Sequence, residues 1–189
     1  KADVRKIAEE NGFLNSNKHD SQDICFVPDG DYARFIREYT GKAYPEGDFL
    51  LADGSVIGKH RGVIGYTIGQ RKGLGISYSE PLYVTSKSAA ENTVTLGTAG
   101  ELFSSELTTR DFNLISLAEP PTEPLRVSVR TRYHAKEAPA TAYFSASFKE
   151  NNAVVLKFDE PQRAISPGQA AVLYDGDVVV GGGTISDSK

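Results

Sequence analysis

Few residues of this chain could do chemistry, and the first is its only cysteine. Cys25 stands in the run Ile24-Cys25-Phe26-Val27, after the polar approach Lys18-His19-Asp20-Ser21-Gln22-Asp23. Free cysteine is among the most buried residue types, and Ile24 and Phe26 favour an inert position in a core. Lys18 and His19 favour the opposite reading, because a thiol at an element boundary beside a cation is partly ionised and the thiolate is the nucleophile. The residues leave both readings open. A cysteine hydrolase using His60 or His134 as base ranks below either, since nothing in the sequence brings those rings near the thiol.

Two basic stretches come next. Gly58 to Ile76 reads GKHRGVIGYTIGQRKGLGI and sets Arg61, Arg71 and Lys72 among repeated glycines. A phosphate-binding P-loop needs Gly-Lys followed by Ser or Thr at the start of a helix, whereas Lys72 is followed by Gly73 and no helical run. That nucleotide-binding motif is excluded. What remains is a set of tight β-turns, or turns that present Arg61, Arg71 and Lys72 to a phosphate backbone.

The second basic stretch, LRVSVRTRYH, alternates with period two. Arg126, Ser128, Arg130, Arg132 and His134 fall on one face, and Leu125, Val127, Val129, Thr131 and Tyr133 on the other. The first face is either ordinary solvated strand surface or a phosphate-contacting stripe, notable in a chain of net charge −4. Tyr133 lies on the apolar side by parity and needs a strand end or bulge to reach a ligand. Gln169, after Pro167-Gly168, sits where a loop enters a strand.

Short helices and a long β-rich remainder must position these residues. ADVRKIAEENGF spaces Val4, Ile7 and Ala8 helically and stops at Gly12; DGDYARFIREYTG places Tyr32, Phe35, Ile36 and Tyr39 on one face between Asp31 and Gly41. From about residue 48, β-rich runs alternate with turn signals, with hairpins read at Asp53-Gly54, Glu91-Asn92 and Asp175-Gly176. LAEPPTEP, before Leu125, is a linker or edge loop. The segments that follow it form an antiparallel set closing a small barrel, with Gly181 to Gly183 as a close approach or bulge at closure. The fold expected from the residues is mainly β: two short N-terminal helices and a β-rich remainder that ends in a small antiparallel barrel.

Bulk properties bound the function. The 189 residues suffice for one large domain or two small ones. No apolar run is long enough for a bilayer and no secretory pattern opens the chain, so a cytoplasmic protein without a membrane partner is expected. A lone cysteine and three histidines supply no disulfide and no zinc framework, so no metal is expected. The chain starts at Lys1 and has no methionine, which gives the expectation of a piece of something longer.

Four blocks, KHDSQDICFVPDGDY, GKHRGVIGYTIGQRKGLGI, VRTRYH and FDEPQRAISPGQAAVLYDGDVVVGGG, resemble in content and order the C-terminal half of the tRNA-specific 2-thiouridylase family, called MnmA or TrmU. The resemblance covers nearly the whole chain. It implies ATP-dependent adenylation of the C2 oxygen of the wobble uridine in tRNAs for Lys, Glu and Gln, followed by replacement with sulfur. Cys25 matches the family's persulfide cysteine, fed by a sulfur-carrier protein or cysteine desulfurase relay; Arg132, Tyr133 and Gln169 match its tRNA contacts, on a barrel resembling domain 2 of elongation factor Tu. Arg61, Arg71, Lys72 and Arg130 stand beside these as candidate phosphate contacts. The family's SGGVDS-type pyrophosphate loop, catalytic aspartate and second cysteine have no match here, so the ATP site is expected outside this chain and the chain is expected to be inactive alone. By analogy residues 1–29 are the tail of the catalytic domain, 30–108 a small central α+β domain and 109–189 a six-stranded-type antiparallel β-barrel. The competing reading is a non-catalytic RNA-binding barrel module with a structural cysteine.

Overall fold

Helical spacing ends where the sequence says it should. In the computed structural model α1 spans Ala2–Glu10 and α2 spans Tyr32–Thr40. The structure describes residues 2–17, 26–27, 29–133, 135–145, 148 and 152–188. Asp31 caps α2, its carboxylate accepting the Arg34 N–H at 2.9 Å, and Gly41 ends it at φ 64°, donating to the Arg37 carbonyl at 2.9 Å. A left-handed residue costs an L side chain more than glycine, which is why the helix stops there. Phe26, Phe35 and Tyr39 pack in series, with ring centroids 5.2 and 5.8 Å apart. α1 buries none of its residues. These helices belong to one compact unit, Lys1–Ala43, and the strands to a second, Tyr44–Lys189. No helix among the described residues is long and apolar enough to cross a membrane.

The second unit begins with a four-stranded sheet in the order β2-β1-β4-β3, where β1 is Gly47–Leu50, β2 Val56–His60, β3 Tyr83–Ser88 and β4 Thr93–Gly97. β1 and β2 form a hairpin, as do β3 and β4, while β1 runs parallel to β4. The first turn is held by Asp53, whose Oδ1 accepts from the Ser55 N–H at 2.9 Å and its hydroxyl at 2.6 Å, with Gly54 at φ 83°. Those bonds favour the ionised carboxylate and lower its pKa. Phe49, Val84, Val94 and Leu96 are fully buried between the strands. The long crossing from β2 to β3 contains a 3₁₀ turn, Val63–Gly65, and is pinned to the same core by Val63, Tyr66, Leu74 and Leu82.

Six strands then close a barrel in the order β10-β5-β8-β7-β6-β9: β5 Phe103–Leu114, β6 Leu125–Arg130, β7 Ala138–Phe144, β8 Val154–Arg163, β9 Ala170–Asp175 and β10 Val178–Ser188. Every pairing is antiparallel. Alternation supplies the filling: Val127 and Val129 from β6, Ala140 and Ala142 from β7, Leu156 from β8 and Leu173 from β9 all point inward. Closure requires glycine. A Cβ at Gly181 would lie 2.4 Å from the Asn113 carbonyl oxygen and one at Gly183 2.9 Å from that of Arg110, beside register shifts in β10. The proline-bearing segment 115–124 is the loop between β5 and β6.

Candidate nucleic-acid interface

β6 carries the basic alternation only as far as Arg130. Val127 and Val129 are buried while Arg126, Ser128 and Arg130 face outward, and the strand then breaks into a bend at Thr131-Arg132 and a turn at Tyr133. The strand end releases Tyr133 from its apolar parity, and the residue is 87% exposed. Arg132 is fixed at this corner from two sides: its carbonyl accepts the Ala135 N–H at 3.0 Å and its Nη2 donates to the Arg163 carbonyl at 3.2 Å.

β9 supplies the other wall. It pairs with β6 through Ser128↔Tyr174, Val129↔Leu173 and Arg130↔Val172. Ala171 and Leu173 are buried, which turns Ala170, Val172 and Tyr174 to the outer face beside Arg130. Gln169, just before β9, is positioned by its main chain: its N–H donates to Ser166 O at 3.2 Å and its carbonyl accepts the Ile185 N–H at 2.7 Å. Arg130, Arg132, Tyr133, Gln169, Val172 and Tyr174 together with Ala170 line one concavity of about 480 Å³. Its lining is mostly apolar and includes two arginines, a glutamine and two tyrosines. That is the chemistry that receives an unstacked base and its phosphate.

The arginine stripe is less bare than its own strand implies. Arg126 makes a two-pronged pair with Asp159 of β8, Nη1 to Oδ1 at 2.8 Å and Nη2 to Oδ2 at 2.7 Å. Hydrogen bonding from that guanidinium holds the Asp159 carboxyl below its usual range and raises the Arg126 pKa in turn. Arg130 donates to Glu137 at 2.8 Å, and its guanidinium carbon lies 5.6 Å from the Tyr174 ring centroid. Neighbouring strands supply acids that alternation within β6 cannot reveal. Arg132, in contrast to Arg126 and Arg130, bonds to a neutral carbonyl.

Arg61, Arg71 and Lys72 are elsewhere, exposed on the glycine-rich crossing between β2 and β3. His60 is fully buried, with Nδ1 accepting the Gly62 N–H at 3.0 Å and Nε2 donating to the Asn92 carbonyl at 3.0 Å. With both nitrogens engaged, it is a structural residue and not the base of a hydrolase. Cys25 and residues 18–24 before it lie outside the described residues, as does His134. Among the described residues no three His, Asp or Glu side chains are grouped to hold a metal ion. Sequence reasoning missed Val172 and Tyr174 as pocket walls; the signal was available in the alternation of β9 and required only its pairing with β6.

Three family models match in succession along the chain: the tRNA methyl transferase HUP domain over residues 1–29, the tRNA methyl transferase PRC-barrel domain over 33–98, and the aminomethyltransferase beta-barrel domain over 104–185. Among curated proteins, the tRNA-specific 2-thiouridylase MnmA of Acetivibrio thermocellus is 50% identical over 185 residues, covering 98% of this chain and 50% of that protein. The proteins of the same name from Clostridioides difficile and Halothermothrix orenii are 46% and 44% identical, covering 98% and 100% of this chain and 50% and 51% of their own lengths. The chain thus spans about half the length of the curated relatives it matches. With three successive models of one family and relatives of one name along nearly its whole length, the chain belongs to the MnmA/TrmU family, the tRNA-specific 2-thiouridylases.

Proposed function

We propose that this chain is the sulfur-carrying and RNA-docking part of a tRNA-uridine 2-sulfurtransferase, with the acceptor cysteine in residues 1–29, a central domain in 30–108 and the RNA-holding barrel in 109–189. One observation carries the reading: Arg132 and Tyr133 from one stretch of sequence and Gln169 from another converge on one concavity with a mostly apolar lining. In this reading Tyr133 and Tyr174 stack on an unpaired base, the Gln169 amide reads its edge, and Arg132 holds a backbone phosphate. Arg130 contributes shape more than charge, since Glu137 already faces it.

Cys25 carries the transferable atom as a persulfide, loaded by a sulfur-carrier protein or cysteine desulfurase. A thiol suits that role because sulfur is polarizable and intrinsically nucleophilic. The substrate is the wobble uridine of tRNAs for Lys, Glu and Gln, activated as an adenylate at its C2 oxygen. The terminal persulfide sulfur bonds to C2, the C2–O bond breaks and AMP leaves; a second thiol outside this chain attacks Cys25 Sγ, opening the persulfide S–S bond to a disulfide and leaving sulfur on the uridine. The turn at Lys72-Gly73 lacks the hydroxyl residue and the helix of a nucleotide loop, so the ATP step is assigned to no residue of this chain.

The test is made in the protein of the relatives' full length. After incubation with a cysteine desulfurase, intact mass of the Cys25 peptide should rise by one sulfur, and Cys25→Ser should abolish thiolation while sparing tRNA affinity. Wild-type thiolation by Cys25→Ser removes the catalytic part and leaves an RNA-docking module.

A further inference from the structure

In the second unit five cations are paired with acids among the described residues. Arg110 faces Asp111, Arg126 Asp159, Arg130 Glu137, Lys157 Glu106 and Lys59 Asp48. Arg61, Arg71 and Lys72 are exposed and, among the described residues, form no ion pair. They gather around one turn: Gly73–Gly75 is the shared wall of two concavities, one bounded by Lys59, Arg61 and Tyr66, the other by Arg71 and the residues before β3.

That turn is rigidly footed. Gly69 donates to the Val84 carbonyl at 2.8 Å and Val84 donates back to Gln70 O at 2.9 Å, which ties its first limb to β3. The Gln70 side chain accepts the Thr67 N–H at 3.0 Å and donates to Lys72 O at 2.9 Å, while Leu74 anchors the second limb in the core. Gly73 and Gly75 take φ values of 76° and 69°. Among the described residues, nothing accepts the backbone N–H groups from Arg71 to Gly75. Amides with no protein acceptor on an exposed left-handed glycine turn, flanked by cations outside any ion pair among the described residues, are the donors an anion would meet.

We propose that the turn Arg71–Gly75, with Arg61, is a second RNA-phosphate site distinct from the barrel pocket, and that Arg163-Ala164 fixes the two relative to each other. The Arg163 carbonyl takes the Arg132 guanidinium, and its own guanidinium lies 5.5 Å from the Tyr83 ring centroid on β3. Ala164, at φ 54°, donates to the Leu102 carbonyl at 2.7 Å, and its methyl would stand 3.1 Å from a Cβ placed on Gly69, at the foot of the basic turn. Two consecutive residues therefore hold both cationic sites. A phosphate could also come from a free nucleotide; the link to the barrel corner favours a polymer that reaches both. This inference rests on the barrel binding RNA.

The test uses this chain with a transcribed tRNA, following anisotropy over a range of salt. Arg71→Ala combined with Lys72→Ala should weaken binding about tenfold and lower the slope of log K against log salt by about 1 to 2. Lys72→Glu, which changes the charge by the same two units at one position, should weaken it comparably, and the Gly73 and Gly75 amide resonances should move on adding RNA. If the wild-type chain shows no salt-dependent RNA binding, the RNA reading itself fails. If Arg132→Ala weakens binding while both basic-turn variants keep wild-type affinity and slope, this inference alone fails. It also fails if ATP or inorganic phosphate moves those amides and RNA does not, or if polyglutamate competes as well as RNA.

Discussion

Arg132 donates from Nη2 to the main-chain carbonyl of Arg163 at 3.2 Å, so the exposed corner after β6 is pinned to the last residue of β8. A guanidinium has five donors in a planar fork; one can anchor while the others meet a phosphate. Lysine offers a point charge on a flexible stem and cannot do both in one geometry.

Arg132→Lys should therefore recover only part of what Arg132→Ala loses. The alanine variant is expected to weaken tRNA binding by about tenfold and to reduce the salt slope by about 1, with little change in melting temperature. Anisotropy titrations across salt read this out. Equal affinity of the lysine variant and wild type would show that the anchored fork is not what matters.

His60 tests the scaffold beneath the glycine-rich crossing. Its ring lies 5.6 Å from that of Phe49 in a T-shaped contact, and its two nitrogens hold Gly62 and Asn92. His60→Phe keeps the ring but strands a buried N–H and a buried carbonyl, at a cost on the order of 2 to 4 kcal/mol. His60→Gln, which brings both a donor and an acceptor, should cost less. Urea denaturation of the two variants ranks them, and a His60→Phe protein as stable as wild type contradicts the assignment.

How much of this was legible beforehand depends on whether the deciding interactions are local. Asp31 and Gly41 announce both ends of α2, and Asp53-Gly54 and Asp175-Gly176 mark turns whose strands flank them in sequence. The end of β6 at Arg130 was not legible, because LRVSVRTRYH keeps its alternation past the point where pairing with β9 stops. Nor were the charges. Asp159 meets Arg126 and Glu137 meets Arg130 only once β6, β7 and β8 lie side by side. Alternation and loop position single out Arg132, Tyr133 and Gln169 and the resemblance implies their RNA-contacting role, whereas Val172 and Tyr174 become pocket walls only through strand register.

Barrel closure depends on the missing side chain at Gly181. A Cβ there would meet the Asn113 carbonyl at 2.4 Å and the Phe112 ring at 2.7 Å, in a strand pair that cannot separate without opening the barrel. Gly181→Ala is expected to destabilise by about 1 to 3 kcal/mol, as overpacking does. Gly176→Ala, at a turn with open space around it but φ 56°, should cost less, through backbone strain alone. Equal thermal shifts for the two would mean that steric closure is not the limiting feature.

The fork between Arg126 and Asp159 has a pH signature whose sign follows from the direction of the shift. The Asp159 pKa is lowered in the folded protein, first by the hydrogen bond from Arg126. Above its ordinary value, near 3.8, the carboxylate is ionised in both states and the pair contributes in full. As pH falls below that value the unfolded chain takes up the proton first, and the contribution is lost as the folded carboxyl titrates in turn. Asp159→Asn should then be less stable than wild type at pH 7, with the gap closing as pH falls below the ordinary carboxylate value and on through the lowered folded one. Both groups are exposed, so added salt should narrow the gap at neutral pH as well. Chemical denaturation of the two proteins across this range measures it; a gap that stays constant down to pH 2 would mean that Asp159 stabilises the barrel through shape and not through its charge.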